Sequence, residues 1–191
     1  KRSKIIHISS DYVFDGKCGG YSESDHPNPI NYYGKTKLES ENILRGSRRE
    51  YLIVRASGVY SHFMNCKSNI LTWLYGELTI GNKINAFNDQ FTNPACVIGL
   101  SKFIYQSIIL DICGIIHYGS LDVLSRYEFS RLFCSIFDLD KTNVCESSIK
   151  EYNFSAARPI NSYLKLDRLK DFRTVDIFSV EYSLSKIKMY M

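Results

Sequence analysis

No C-x-x-C pair occurs among the six cysteines (Cys18, Cys66, Cys96, Cys113, Cys134, Cys145), and the four histidines do not group with them. The spacing of a zinc site is therefore missing, and reduced thiols in a cytoplasmic protein are the expectation. Lysine and arginine are scattered among acids, and a net charge of +4 is mild, so no nucleic-acid footprint is expected. No apolar run approaches the roughly 18 residues that span a bilayer, because Gln106, Ser107 and Asp111 interrupt the richest one. Internal repeats and low-complexity stretches are also missing. So is any G-x-G-x-x-G or G-x-x-G-x-x-G turn for a dinucleotide phosphate; Gly19-Gly20 has neither a strand before it nor a helix after it.

What is present is ordinary globular material. Hydrophobic residues at 45% and charged residues at 23%, over 191 residues, suffice for one substantial core, so a single domain over 1–191 is expected. Residues 4–9 and 51–55 are short apolar runs without alternation, the pattern of parallel strands buried on both faces. Between them, a polar loop from Asp15 to Pro29 leads to a helix capped by Asn31 and running to about Leu44, with Gly46 as its stop. Further on, the spacing predicts a helix over 66–80 with Ile70, Leu71, Leu74 and Leu78 inward, and a strand over 84–87. A helix face follows on Val97, Leu100, Ile104 and Ile108, then a strand over 114–118. Ser125 and Glu128 form a capping box before Phe129, Leu132, Phe133, Ile136 and Phe137, and a last helix covers about 179–189. A parallel sheet that starts directly at residue 4 has no upstream neighbour, so the sequence reads as the C-terminal part of something longer.

The chemistry concentrates between residues 9 and 37. Ser9 and Ser10 close the first apolar run, and Tyr33 and Lys37 stand one turn apart on one helix face. An ammonium beside a phenol favours the phenolate, which makes the phenol a usable acid toward a carbonyl, while a serine hydroxyl can hold the same oxygen. A Tyr/Lys pair at this spacing also occurs on many plain surface helices. Here it follows Ser9-Ser10-Asp11-Tyr12-Val13-Phe14-Asp15-Gly16 within Asn31-Tyr32-Tyr33-Gly34-Lys35-Thr36-Lys37. Together these stretches resemble the extended short-chain dehydrogenase/reductase family, and within it the dTDP-4-dehydrorhamnose reductases. The likeness continues through Arg55 to Tyr60, Asn88 to Pro94, Ser125 to Phe129 and Ala157-Arg158-Pro159.

The resemblance implies an α/β fold: an incomplete Rossmann-type doubly wound parallel sheet, with a small C-terminal substrate-binding lobe from parts of 59–95 and 119–175. It implies reduction of a 4-keto nucleotide sugar by NADP or NAD, NADPH being slightly favoured, with Tyr33 as acid, Lys37 as its modulator and ribose contact, and Ser10 orienting the carbonyl. Ser9 could supply that hydroxyl too, but the family pattern sets it immediately before Asp11. Cofactor contacts fall by the same likeness on Ser9, Tyr33, Lys37, Ala56, Ser57 and Val59. Substrate contacts fall on Ser10, Asp11, Tyr12, Val13, Gln90 and Arg158. Asp11 has a second reading as a loop-capping carboxylate and Arg158 as half of a structural ion pair. No metal is implied, and a homodimer is a possible assembly. Two departures stand out. Gly58 and Ser61 occupy positions where the reductases commonly carry Trp and Gly, and His62 and Phe63 are the residues near enough to refill that space. The glycine-rich cofactor turn, within about 80 to 100 residues of a doubly wound fold, is absent. A non-catalytic regulatory subunit, like the β subunit of methionine adenosyltransferase, and an inactive truncated product are the alternative readings.

Overall fold

The computed structural model describes residues 3–62, 69–172 and 174–190. Three parallel strands, β1 (Ile5–Ser10), β2 (Tyr51–Ala56) and β5 (Gly114–Tyr118), lie in the order β1-β2-β5. Register is in step from Ile5 opposite Tyr51 to Ser10 opposite Ala56, so both strands end at the same level. β2, with a neighbour on each side, is buried from Leu52 to Ala56. β1 departs from the expected two-sided burial: it is the sheet edge, half-buried until Ser9 and Ser10, because only β2 covers it.

Helix α1 (Tyr32–Gly46) crosses between β1 and β2. Asn31 caps it, its Oδ1 accepting from the Gly34 amide at 2.8 Å, and the helix takes Gly46 into its last turn before Ser47 ends it. Gly34 is where α1 approaches the 3-10 turn after β1: a Cβ there would meet the Tyr12 carbonyl oxygen at 2.1 Å. That contact is backbone against backbone, so only glycine lets the first turn of α1 reach the strand tip.

The second layer holds α2 (Ile70–Thr79), β3 (Ile84–Phe87), β4 (Phe91–Thr92), α3 (Val97–Ile109), β6 (Leu124–Ser125), α4 (Arg126–Phe137), β7 (Val144–Ser147), α5 (Asp167–Lys170) and α6 (Val180–Lys188). β3 pairs with β7 in parallel and β4 with β6 antiparallel. One core packs α3, α5 and the sheet through Leu52, Val54, Phe103, Ile116 and Leu169. A second packs α2, α4 and α6 through Leu71, Leu74, Phe129, Phe133, Leu184 and Ile187. The Ser125/Glu128 capping box is present with both hydrogen bonds. Of the expected α3 face, Leu100 is buried and Ile104 packs against the same core, but Ile108 is exposed, and Gly99, Phe103 and Ser107 are buried besides. The beginning of the helix expected over 66–80 and Phe63 lie outside the described residues. Among the described residues no helix is long and apolar enough to cross a membrane.

Candidate active site

The carboxyl ends of β1 and β2 carry the residues that the sequence singles out, and most of their polar side chains are spent on each other. Asp11, 2% exposed, accepts the hydroxyls of Ser10 at 2.9 Å, Ser57 at 3.1 Å and Ser162 at 2.5 Å. Burial pushes its carboxyl above the usual range, against those three hydrogen bonds. It is a knot that ties β1, β2 and the 162 segment together, the loop-capping role that is its second reading. Ser57 is fully buried; its hydroxyl donates to Asp11 and its carbonyl accepts from the Ala95 amide. Val13 packs in a small core with Phe14 and Leu164, so it lines no open pocket. Ala56 belongs to the sheet core. Val59, 43% exposed, is the one of the proposed cofactor contacts beyond β2 that faces outward.

Ser9 also faces a side chain of the fold, and that partner explains how α1 is held. Its hydroxyl donates to Glu41 Oε1 at 2.5 Å, and Arg55 clamps the same carboxylate, Nε to Oε1 at 3.0 Å and Nη2 to Oε2 at 2.7 Å. Both charged residues are buried, and the Arg55 guanidinium lies 5.1 Å from the centre of the Phe14 ring. Arg55 Nη1 also meets His117 Nε2 at 3.4 Å, and His117 Nδ1 meets the Tyr21 carbonyl at 3.1 Å. A guanidinium has no acceptor, so Nε2 must accept and Nδ1 carries the proton. Burial first and Arg55 second push the His117 pKa down to about 3. Its folded value lies below the ordinary 6.5, so stability from the neutral ring is complete above about 6.5 and is lost as pH falls toward 3. Asp11, raised by burial, acts with the opposite sign. Comparison of the native chain with His117→Gln isolates the histidine: urea-unfolding free energies between pH 7 and 4 should fall more steeply for the native protein, by up to about 1.4 kcal/mol per pH unit. Parallel lines for the two proteins would remove His117 from the acid response.

Tyr33 and Lys37 come together on the outward side of this frame. Tyr33 is half-exposed, and the Lys37 Nζ stands 5.8 Å from its ring centre while donating to the Ile8 carbonyl at 3.0 Å. Tyr12 meets the Tyr33 ring edge-on with centroids 5.8 Å apart. Ser10 sits at the same strand tip, but its hydroxyl is engaged: it donates to Asp11 and accepts from the Tyr12 amide at 3.2 Å. To hold a carbonyl oxygen it must turn away from Asp11.

Gln90 forms one wall of a cavity of about 520 Å³. Gly58, Val59, Trp73, Phe87, Arg126 and Arg158 are among its lining residues; Tyr12, Tyr33 and Lys37 are not. Gln90 is held by its amide donating to the Pro159 carbonyl at 3.1 Å. Arg158 lies over the Phe154 ring at 4.1 Å and forms no ion pair with a described carboxylate, so its structural alternative is not what the fold shows. Arg126 is the cavity residue that sequence reasoning missed. Its signal was available: a cation in the first turn of a helix sits at the wrong end of the helix dipole.

The model of the RmlD substrate binding domain matches residues 1–188. The chain belongs to that family. Among its relatives, a dTDP-4-dehydrorhamnose reductase of Sinorhizobium fredii is 30% identical over 87% of this chain and 59% of its own length. A probable low-salt glycan biosynthesis reductase of Haloferax volcanii is 29% identical over 87% and 56%. The methionine adenosyltransferase 2 subunit beta of Bos taurus is 29% identical over 87% and 51%. In structure, the chain superposes on dTDP-4-dehydrorhamnose reductase of Bacillus anthracis, crystallised with NADP, with a TM-score of 0.91 at 28% identity, covering 99% of this chain and 66% of the other. The mixed α/β, Rossmann-like architecture is thereby shared with NAD(P)-binding reductases. The chain spans 51–59% of the length of these three curated relatives.

Proposed function

We propose that the chain is the catalytic and substrate-binding part of an oxidoreductase that reduces a 4-keto nucleotide sugar, dTDP-4-dehydrorhamnose by similarity, in dTDP-rhamnose or related nucleotide-sugar synthesis. The observation that carries this reading is the outward pairing of Tyr33 with Lys37, with Tyr12 edge-on to the phenol, in a fold that also holds a cavity walled by aromatic and cationic side chains. Tyr33 protonates the oxygen of the carbonyl, Lys37 holds positive charge beside it, and Ser10 turns from Asp11 to donate to the same oxygen. Within the second layer, parts of 59–95 and 119–175 form the lobe that takes the sugar nucleotide, with Arg158 toward its diphosphate.

NADPH is the cofactor by similarity. The residues present fit its nicotinamide end: Lys37 has two N–H donors beyond the one on Ile8, and among the described residues no hydrogen bond reaches the Tyr33 hydroxyl. Tyr33, Lys37 and the exposed Val59 would hold that end. When bound, the reduced nicotinamide supplies the hydride, which no side chain can. The chain joined to the glycine-rich half of a reductase relative should consume reduced nicotinamide with a keto-sugar nucleotide and not with the corresponding free sugar.

A second reading, a non-catalytic subunit, draws support from the likeness to the bovine methionine adenosyltransferase subunit. Retention of a methionine adenosyltransferase catalytic chain on the immobilised protein, without keto-sugar turnover in the joined chain, would favour it over reduction.

A further inference from the structure

The chemistry proposed above employs Gln90 and Arg158 from the cavity wall and leaves Arg126 idle. Arg126 opens α4 directly after the Ser125 cap. Its nearest acid in sequence, Glu128, is occupied in the capping box, with Oε2 accepting the Ser125 amide at 2.7 Å. Ion pairs among the described residues join Lys4 to Asp111, Arg55 to Glu41 and Lys188 to Asp138, and none reaches Arg126. Its electrostatic neighbours are Tyr12, Asp11 and the like-charged Arg158, and burial lowers its pKa. Asp11 has its oxygens taken by three serines. Partial desolvation, the positive end of a helix dipole and a second guanidinium all act against a cation at this place. Tyr12 and Asp11 favour the cation through their charge, but among the described residues no hydrogen bond or ion pair reaches it. Such a group is costly to keep, and it lines the cavity together with Gly58 and Val59.

We propose that Arg126 recognises an oxyanion of the bound substrate in this cavity, as a subsite separate from Arg158. This rests on reading the cavity as the substrate's. A guanidinium presents a planar fork that suits carboxylate or phosphate oxygens. The oxyanion belongs either to the diphosphate or to a carboxylate on the sugar ring, and Arg126 lies beside Tyr12, which touches the acid Tyr33.

Calorimetric titration of the chain with inorganic pyrophosphate, UDP-glucose and UDP-glucuronate tests this, the last two differing only in a sugar carboxylate. Arg126→Gln should weaken binding about ten- to a hundredfold, and Arg126→Lys should recover part of it. Equal loss for all three probes assigns the phosphate oxygens; loss confined to UDP-glucuronate assigns the sugar carboxylate. The melting temperature without ligand separates this from a structural role: removal of an unpaired cation should leave it unchanged or raised, and a lowered value would count against the subsite. Unchanged affinity for every probe in Arg126→Gln, with Arg158→Gln still weakening them, would overturn the Arg126 subsite alone. Failure of the native chain to bind either sugar nucleotide would overturn both the subsite and the function beneath it.

Discussion

Glu41→Ala should lower the unfolding free energy by about 3–5 kcal/mol, the largest stability effect expected of any polar residue in this chain. The carboxylate is fully buried and holds three donors from two residues, the Ser9 hydroxyl and the Nε and Nη2 of Arg55. Its removal leaves the Arg55 charge in the interior against the Phe14 ring and a neutral histidine, neither of which can neutralise it. Replacing both members, Glu41→Met with Arg55→Met, should cost much less than the single change, because the penalty lies in the orphaned charge rather than in the missing attraction. Urea unfolding at pH 7 checks both. A single variant within about 0.5 kcal/mol of the native protein, the range of plain surface substitutions, would show that the pair is not buried as described. The functional consequence follows from helical spacing. Tyr33, Lys37 and Glu41 succeed one another at four-residue steps, so the clamp on Glu41 sets the roll of α1, and with it where the phenol and the ammonium point. Arg55, quoted in the sequence only as part of a family likeness, is thus the residue that aims the helix carrying Tyr33 and Lys37.

The parts of the fold that were legible are those where one periodicity dominates. β2 and β5 are apolar runs too short for helices, and α4 repeats its phenylalanines at helical intervals behind a capping box. α3 misled because Val97–Ile109 is apolar nearly all round, so several faces fit equally well. The structure chooses the one where Gly99 allows the Tyr118 hydroxyl to approach, a constraint set by a distant strand. The site was legible in its outward members and illegible in its inward ones for a related reason. Ser9, Asp11 and Ser57 are polar residues at strand ends, where ligands bind in such folds, and composition does not say whether a hydroxyl faces a ligand or another side chain. Asp11 and Glu41 take them inward. Arg126 was overlooked for the opposite reason: the capping box around it explained its neighbours so well that its own charge went unexamined.

Tyr33→Phe should reduce turnover of the joined, cofactor-competent chain about 10²- to 10⁴-fold, the range for loss of one general acid, while sugar-nucleotide affinity stays nearly constant. The change removes one oxygen and preserves what positions the ring: its edge-on contact with Tyr12 and its place beyond Asn31 on α1. Lys37 keeps its hydrogen bond to the Ile8 carbonyl, so the ammonium stays while its phenol partner is gone. Affinity should survive because the cavity is walled by Gly58, Gln90, Arg126 and Arg158 and not by Tyr33. A fall in kcat with unchanged KM is the signature of an interaction made only in the transition state; a rise in KM with unchanged kcat would instead make Tyr33 a binding residue. Loss of reduced-nicotinamide absorbance gives kcat, and calorimetry with a non-reacting sugar nucleotide gives affinity. Turnover within threefold of the native value would remove the phenol from the chemistry, and Ser10, which must release Asp11 before it can donate, would then have to be tested as the acid in its place.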